Sequence, residues 1–348
     1  MLIKSKYKKV NLSTTQQEVL KNIKNKIDTK EYSLVNIPCI CGKESNDEII
    51  TNSFYPNFIN SKLNVVACKH CGTLRNTPYF SNDVIAKFYT SDYRPLYGFD
   101  KFSNEDKFKH SSNGGLFTGV HTYKFLKPFC EQYKKNRNKE KLQIFEIGCG
   151  YGGNLYNFHQ DGEEVYGCDY GEDGLTIAKE NGMKNMFIGD MSVLKTCGVP
   201  DIIIINHVLE HIVDLKTFFS ELKELISKDT LVYIGVPSIP AIGFSCRNNI
   251  RRYFQIAHVW YFSNNTLDAL MGKEGFEKLE SNEIIQSVYK YIGEAKEISL
   301  LSEYNKNRVM LQIFDNLFRK QQREKIYRKS TMGLIGMLVV LLGLLVFM

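Results

Sequence analysis

The stretch Gln143–Gly153 reads QIFEIGCGYGG, an apolar run of Ile144, Phe145 and Ile147 stopped by glycines. A run this short, bounded by turn residues, predicts a strand buried on both faces of a parallel sheet. Gly148, Gly150 and Gly153 predict a tight turn whose backbone can approach a ligand without Cβ interference. Asn154–Gln160 reads as the first helix after it. A glycine turn between a strand and a helix N-terminus is where nucleotide-type cofactors bind in doubly wound α/β folds. The G-x-G-x-x-G spacing alone also fits a dinucleotide fingerprint. Asp169 stands 21 residues after Gly148, at the end of a second predicted strand, Glu164–Cys168. A carboxylate there can accept both ribose hydroxyls of such a cofactor.

A second group of residues points to a metal. Cys39-Ile40-Cys41-Gly42 and Cys68-Lys69-His70-Cys71-Gly72 are separated by 26 residues. Thiolates paired on two turns, each followed by glycine, are the signature of a zinc knuckle. Cys39, Cys41, Cys68 and Cys71 are therefore expected to hold a structural Zn²⁺ in a closed shell. The first pair is C-x-C rather than C-x₂-C, so the geometry is tighter and His70 stands as a substitute ligand. The alternative is four incidental cysteines. With nine cysteines and no apolar run after the lysine-rich Met1–Val10, no secretory signal is read, and reduced thiols are the expectation.

Elements that must position these residues follow in order. Met186–Ile188 runs into Gly189-Asp190-Met191, and Asp201–Ile205 runs into Asn206-His207-Val208-Leu209-Glu210-His211. Thr230–Val236 reads as a fifth strand, and Glu277–Ser287 with Val288–Ile292 would finish the sheet. Over Leu142–Glu280 the sequence resembles the class I S-adenosylmethionine-dependent methyltransferases, whose motifs come in this order. The resemblance implies an α/β, Rossmann-like, doubly wound seven-stranded sheet. It implies that Glu146, Gly148, Cys149 and Gly150 hold the methionine moiety, Asp169 the ribose, and Asp190 the adenine end. Tyr170, Met191 and Asn206 complete the expected cofactor set. Asn206 to His211 is where the methyl acceptor would meet the sulfonium.

The cysteine module is similar to one that sugar methyltransferases, notably the deoxysugar C-methyltransferases, carry ahead of the cofactor domain. The run Phe88-Tyr89-x₃-Tyr93-Arg94-x₂-Tyr97 looks like their tyrosine-rich segment. Those enzymes have a longer C-terminal substrate domain, which is a departure here. Tyr93 and Tyr97 become acceptor candidates, or core packing. Asp100–Gly115 is polar and reads as a flexible loop, while His121–Lys135 reads as a helix that buries Val120, Phe125 and Phe129. The connection Ala241–Ala257 carries Arg247, Arg251 and Arg252, which suit an anionic acceptor or a solvated basic loop. Arg251, Arg252 and His258 join the acceptor candidates.

Methyl transfer from a sulfonium needs alignment and an acceptor with its proton removed. His207 and His211, four apart, would share one face if the segment turns helical. Histidine's ordinary pKa of roughly 6.5 suits a base, and His211 is the first choice, with Glu210 orienting it; a helix-packing histidine is the alternative. Two other classes compete. Nicotinamide-dependent sugar enzymes place the glycine loop near the N-terminus and use a Tyr-x₃-Lys pair, which has no counterpart at a useful place here. A zinc-binding membrane adaptor would not need Glu146, Asp169 and Asp190. The acceptor is expected to be a sugar or a nucleotide- or lipid-linked glycan, with a lipid or quinone as the alternative within methyltransferases.

An apolar share of 43% and a charged share of 24% are those of an ordinary globular protein, and 348 residues suffice for two domains. The net charge of +7 is concentrated at the ends. Nothing resembles a nucleic-acid module, which argues against that substrate class. Ser13–Asp28 reads as a capped polar helix and Asn305–Lys329 as a basic amphipathic one. Ser330–Met348 contains 19 residues without a charge, roughly 28 Å as helix and near a bilayer's hydrocarbon thickness. A single-pass C-terminal anchor at the cytoplasmic face of a membrane is thus expected. The expected division is 1–34, a zinc-binding module at 35–99, a lead-in at 100–141, the cofactor domain at 142–300, the basic helix at 301–330 and the anchor at 331–348.

Overall fold

The computed structural model describes residues 3, 11–97, 102–113, 118–300 and 302–346, with only the backbone described at 113 and 326–346. Helix α1 (Thr14–Asp28) starts where Ser13 and Gln16 close a reciprocal capping box, and it buries Ile23 and Ile27. A small antiparallel sheet follows, built from β1 (Asp47–Thr51), β2 (Val65–Cys68) and β3 (Leu74–Asn76). Next come helix α2 (Asn104–Asn113) and helix α3 (Gly119–Arg137).

The second half of the chain alternates strands and helices. Its strands are β4 (Gln143–Ile147), β5 (Glu164–Asp169), β6 (Asn185–Ile188), β7 (Ile202–Asn206) and β8 (Leu231–Gly235), then β9 (Trp260–Tyr261), β10 (Phe276–Ser281) and β11 (Gln286–Tyr291). Helices α4 (Gly153–Gln160), α5 (Glu172–Glu180), α6 (Leu215–Leu225) and α7 (Asn264–Lys273) lie between them. Seven strands pair in the order β6-β5-β4-β7-β8-β11-β10. The first five are parallel, and β11 runs antiparallel to both neighbours. The mixed α/β sheet expected from the sequence is therefore present.

The centre of that sheet shows why the apolar runs were continuous. All five residues of β7 are buried. Ile203 and Ile205 point into one core with Phe145 and Ile147, while Ile202 and Ile204 join Ile144 on the other face. Alternate residues thus fill two cores, as a strand covered on both sides requires. Strand β9 leaves this sheet and pairs with β3 instead, Trp260 opposite Arg75.

Two expectations need correction at this level. Asp100–Gly115 is not a loop throughout, because 104–113 forms α2. Ser103 accepts from the Asp106 N–H (3.1 Å), Glu105 and Asp106 lie in the first turn, and Phe108 is buried against Tyr156. Capping, acid placement and one aromatic anchor outweigh a polar composition. Residues 98–101 and 114–117 lie outside the described residues. In α3 the buried positions are Gly119, Thr122, Leu126 and Cys130, with Phe125 and Phe129 only partly buried. The buried face is turned by one position from the expected one.

The anchor expectation is also corrected. Among the described residues no helix is long and apolar enough to cross a membrane, so a single-pass anchor and a membrane-face location are not supported. Helix α8 (Glu303–Val346) runs unbroken through the basic segment, and its described side chains end at Lys325, still within charged sequence. The side chains of the apolar run 330–348 lie outside the described residues.

Candidate active site

After β4 the chain turns through Gly148 (φ 69°), Gly150 (φ 51°) and Gly152 (φ 74°). These left-handed positions suit glycine. Gly153 is the first residue of α4, not part of the turn, and glycine serves it differently. A Cβ there would lie 2.5 Å from the Ser111 carbonyl carbon of α2. Cys149 is buried, with its sulfur 2.6 Å from where a Cβ on Gly167 would be. Its thiol is pushed well up by burial, which suits packing.

Asp169 is the last residue of β5, and both its oxygens are held by backbone. Oδ2 accepts from the Gly150 N–H at 2.9 Å and Oδ1 from the Gly171 N–H at 2.7 Å. Each oxygen keeps a lone pair for a further donor. Gly189 N–H donates to the Asp169 carbonyl at 3.0 Å, which brings Asp190 to the same rim. Asp190 is exposed and caps the short helix Met191–Cys197 through the Ser192 N–H (2.9 Å). Met191 is buried and Tyr170 is 71% exposed.

Glu146 is fully buried in β4. Its Oε1 accepts from Asn154 Nδ2 at 2.6 Å, while Oε2 has no hydrogen-bond partner among the described residues. Burial pushes the carboxyl well above its ordinary range. Asn154, absent from the sequence-based set, is the hub here. Its Oδ1 accepts from Thr122 Oγ1 (2.9 Å) and Asn206 Nδ2 (3.4 Å). Its place in the first turn of α4 was the only signal in the sequence.

The segment after β7 departs from a helical reading. His207 adopts φ 56°, its N–H donates to the Gly235 carbonyl (2.8 Å), and the next turn is a tight one, Leu209–His211. His207 and His211 therefore share no helix face. They converge on Glu210, His207 Nδ1 at 3.1 Å from Oε1 and His211 Nε2 at 3.9 Å. Burial alone would raise the Glu210 carboxyl, but His211, His207 and His258 hold it down at about 2. His211 is pushed below its ordinary value by burial, and its Nδ1 sits 2.9 Å from the Ala257 carbonyl and 2.6 Å from the Tyr89 hydroxyl. His258 is packed edge-on against the His211 ring at 4.8 Å and lowered to about 3 by burial and by His211.

The tyrosines form a row leading away from His211. A wide helical turn, Phe88–Tyr93, lies between the short helices Asn82–Lys87 and Arg94–Tyr97; such π-type turns occur often at functional sites. Ring centroids step from His211 to Tyr89 (5.8 Å), Tyr93 (4.8 Å), Tyr97 (5.0 Å) and Tyr55 (6.3 Å). Arg252 lies over Tyr55 at 5.9 Å, and Arg251 donates to Ser53 Oγ. Tyr89, outside the sequence-based site set, makes the direct contact with His211. Its signal was membership of the tyrosine run.

Away from this site, Cys39, Cys41, Cys68 and Cys71 bring their sulfurs within 4.8 Å of one another. Cys39 and Cys71 are 3.3 Å apart and Cys41 and Cys68 3.9 Å, close to the edges of a tetrahedral thiolate shell with Zn–S bonds of about 2.3 Å. Gly42 (φ 69°) and Gly72 (φ 74°) make the two knuckle turns. His70 is exposed and stands outside this cluster.

A methyltransferase-domain family model matches residues 121–281. No curated protein matches the chain by sequence. Among solved structures, the chain is similar to magnesium protoporphyrin IX methyltransferase (ChlM) from Synechocystis PCC 6803 with bound SAH. The identity is 18%, over 60% of this chain and 98% of that one, with a TM-score of 0.40. It is similar to the plantazolicin methyltransferase BpumL in complex with SAH at 16% identity, over 68% and 89%, with a TM-score of 0.43. For the Burkholderia thailandensis 1,6-didemethyltoxoflavin-N1-methyltransferase the values are 14%, 67%, 96% and 0.42. With the matched domain enclosing the glycine turn, the acids at 146, 169 and 190 and the histidine cluster, the chain carries a methyltransferase domain.

Proposed function

We propose that the acceptor is a sugar ring carried on an anionic group such as a nucleoside diphosphate, and that His211 is the base. One observation carries this reading: a nearly buried His211 stands at the head of a row of tyrosine rings that ends at Arg252. Aromatic faces suit the C–H faces of a sugar, and a guanidinium suits a phosphate.

S-adenosylmethionine supplies an electrophilic methyl group on a sulfonium. Glu146, with its unpartnered buried Oε2, is placed to receive the ammonium of the methionine moiety. The glycine turn leaves room beside it, and Asp169 offers its spare lone pairs to the ribose hydroxyls. Asp190 would meet the adenine end at the exposed rim. His211, anchored through Nδ1, presents Nε2 as the proton acceptor. It takes the acceptor's proton as the new bond to the methyl carbon forms and the sulfur–carbon bond breaks. Glu210 stabilises the imidazolium so formed. Burial keeps His211 neutral near neutral pH, as a base must be. The four cysteines hold a structural Zn²⁺ in this proposal, supported by their sulfur separations.

The test is incubation with methyl-labelled cofactor and a panel of nucleotide sugars, compared with free sugars and with small planar heteroaromatics. Label should enter the nucleotide sugars. Transfer to a heteroaromatic alone would overturn the acceptor proposal.

A further inference from the structure

We propose that Glu210, His211 and His258 form a metal site separate from the cysteine cluster, one that takes a divalent first-row transition ion. One ligand atom from each lies within 4.8 Å of the others. Around a single ion with bonds of about 2.0–2.2 Å, ligand atoms stand roughly 3–4 Å apart, so a small side-chain closure completes the site.

Two buried atoms on these residues lack a hydrogen-bond partner among the described residues. Glu210 is 1% exposed and its Oε2 has no hydrogen-bond partner among the described residues; His258 is 5% exposed and its Nδ1 has none either. Leaving two such groups unpaired is costly, and one cation answers both. The surrounding contacts orient them as ligands. Glu210 Oε1 is held by His207 Nδ1 at 3.1 Å, which leaves Oε2 for the ion. His211 places Nδ1 2.9 Å from the Ala257 carbonyl, the bond that fixes the tautomer of many metal-binding histidines and turns Nε2 to the metal. Two imidazoles and one carboxylate suit Zn²⁺, Co²⁺ or Ni²⁺ far better than Mg²⁺ or Ca²⁺. Three protein ligands leave a coordination position open. Bound there, the ion occupies the lone pair that His211 needs as a base, so the loaded and the proton-accepting forms exclude each other.

Cobalt(II), added to the full chain, is the probe. Cobalt on nitrogen and oxygen ligands gives weak visible bands, whereas thiolate ligation adds intense charge-transfer bands, so the two clusters are read separately. The wild type should show a saturable nitrogen–oxygen band. Glu210→Gln and His258→Gln should each raise its midpoint by at least about tenfold, the smallest loss usual even for an outer-shell partner, with the thiolate bands and circular dichroism unchanged. Absence of the band in the wild type overturns the proposal whatever the variants do, and so does a wild-type midpoint in both variants. Calorimetry with S-adenosylmethionine on the same wild-type sample tests the methyltransferase reading separately.

Discussion

At Glu146 the chain buries a carboxyl completely, and among the described residues only one of its oxygens has a donor, Asn154 Nδ2 at 2.6 Å. Burial raises its pKa in the folded state, so its contribution is most favourable below the unfolded value of roughly 4.3 and is lost as pH rises through the folded one. We predict that Glu146→Gln stabilises the cofactor-free protein at pH 8, by on the order of 1–3 kcal/mol, and gives no gain at pH 4. Denaturant melts at the two pH values check this; an equal effect at both would refute the burial argument. The same variant should bind S-adenosylmethionine more weakly by calorimetry. At His211 the expectation is kinetic. His211→Ala should lower kcat by about 10²–10⁴-fold while the cofactor's Kd stays within a few-fold, and unchanged turnover removes the base assignment.

Among the elements, α2, α3 and α4 meet at glycines. The Cβ of an alanine at Gly153 would lie 2.5 Å from the Ser111 carbonyl, and Gly119 comes directly against the Gly153 carbonyl. Gly153→Ala should therefore destabilise by about 1–3 kcal/mol, as overpacking does. A thermal melt within error of the wild type would show that α2 moves aside freely. This contact also explains why the glycine pattern misled: Gly153 matched the turn spacing in sequence, yet the left-handed positions are 148, 150 and 152. Spacing reports which residues lack a Cβ, whereas only the packed helices show whether backbone strain or close approach demands it.

Across the whole molecule, the cysteine cluster touches the start of α8. A Cβ on Gly72 would fall 2.5 Å from the Glu303 backbone, Asn307 Nδ2 donates to the Gly72 carbonyl at 3.1 Å, and Glu48 receives Tyr304 and Arg308. Glu303 in turn accepts from Ser263 and Asn265, so the module and the cofactor half grip one helical turn between them. If a metal sets the knuckle turns, a chelator strong enough to strip it should speed amide hydrogen exchange across 303–311 before it affects β7. Exchange there that is indifferent to chelation would separate the cluster from this docking.

The strands around the glycine turn, the acids at 146, 169 and 190 and the cysteine pairs were legible in the chain itself, because each is a local pattern: an apolar run, a turn residue, a fixed spacing. Long-range geometry was not. The convergence of His207 and His211 on Glu210 depends on a positive φ and a bond to Gly235 across the sheet. Tyr89 reaches His211 through a wide turn, and β9 crosses to pair with β3. Asn154 becomes the partner of Glu146 and Asn206 only once α4 is docked. Local sequence sets backbone preference and burial, while side chains 52 or 122 residues apart can meet only where the cores of the fold bring their elements together.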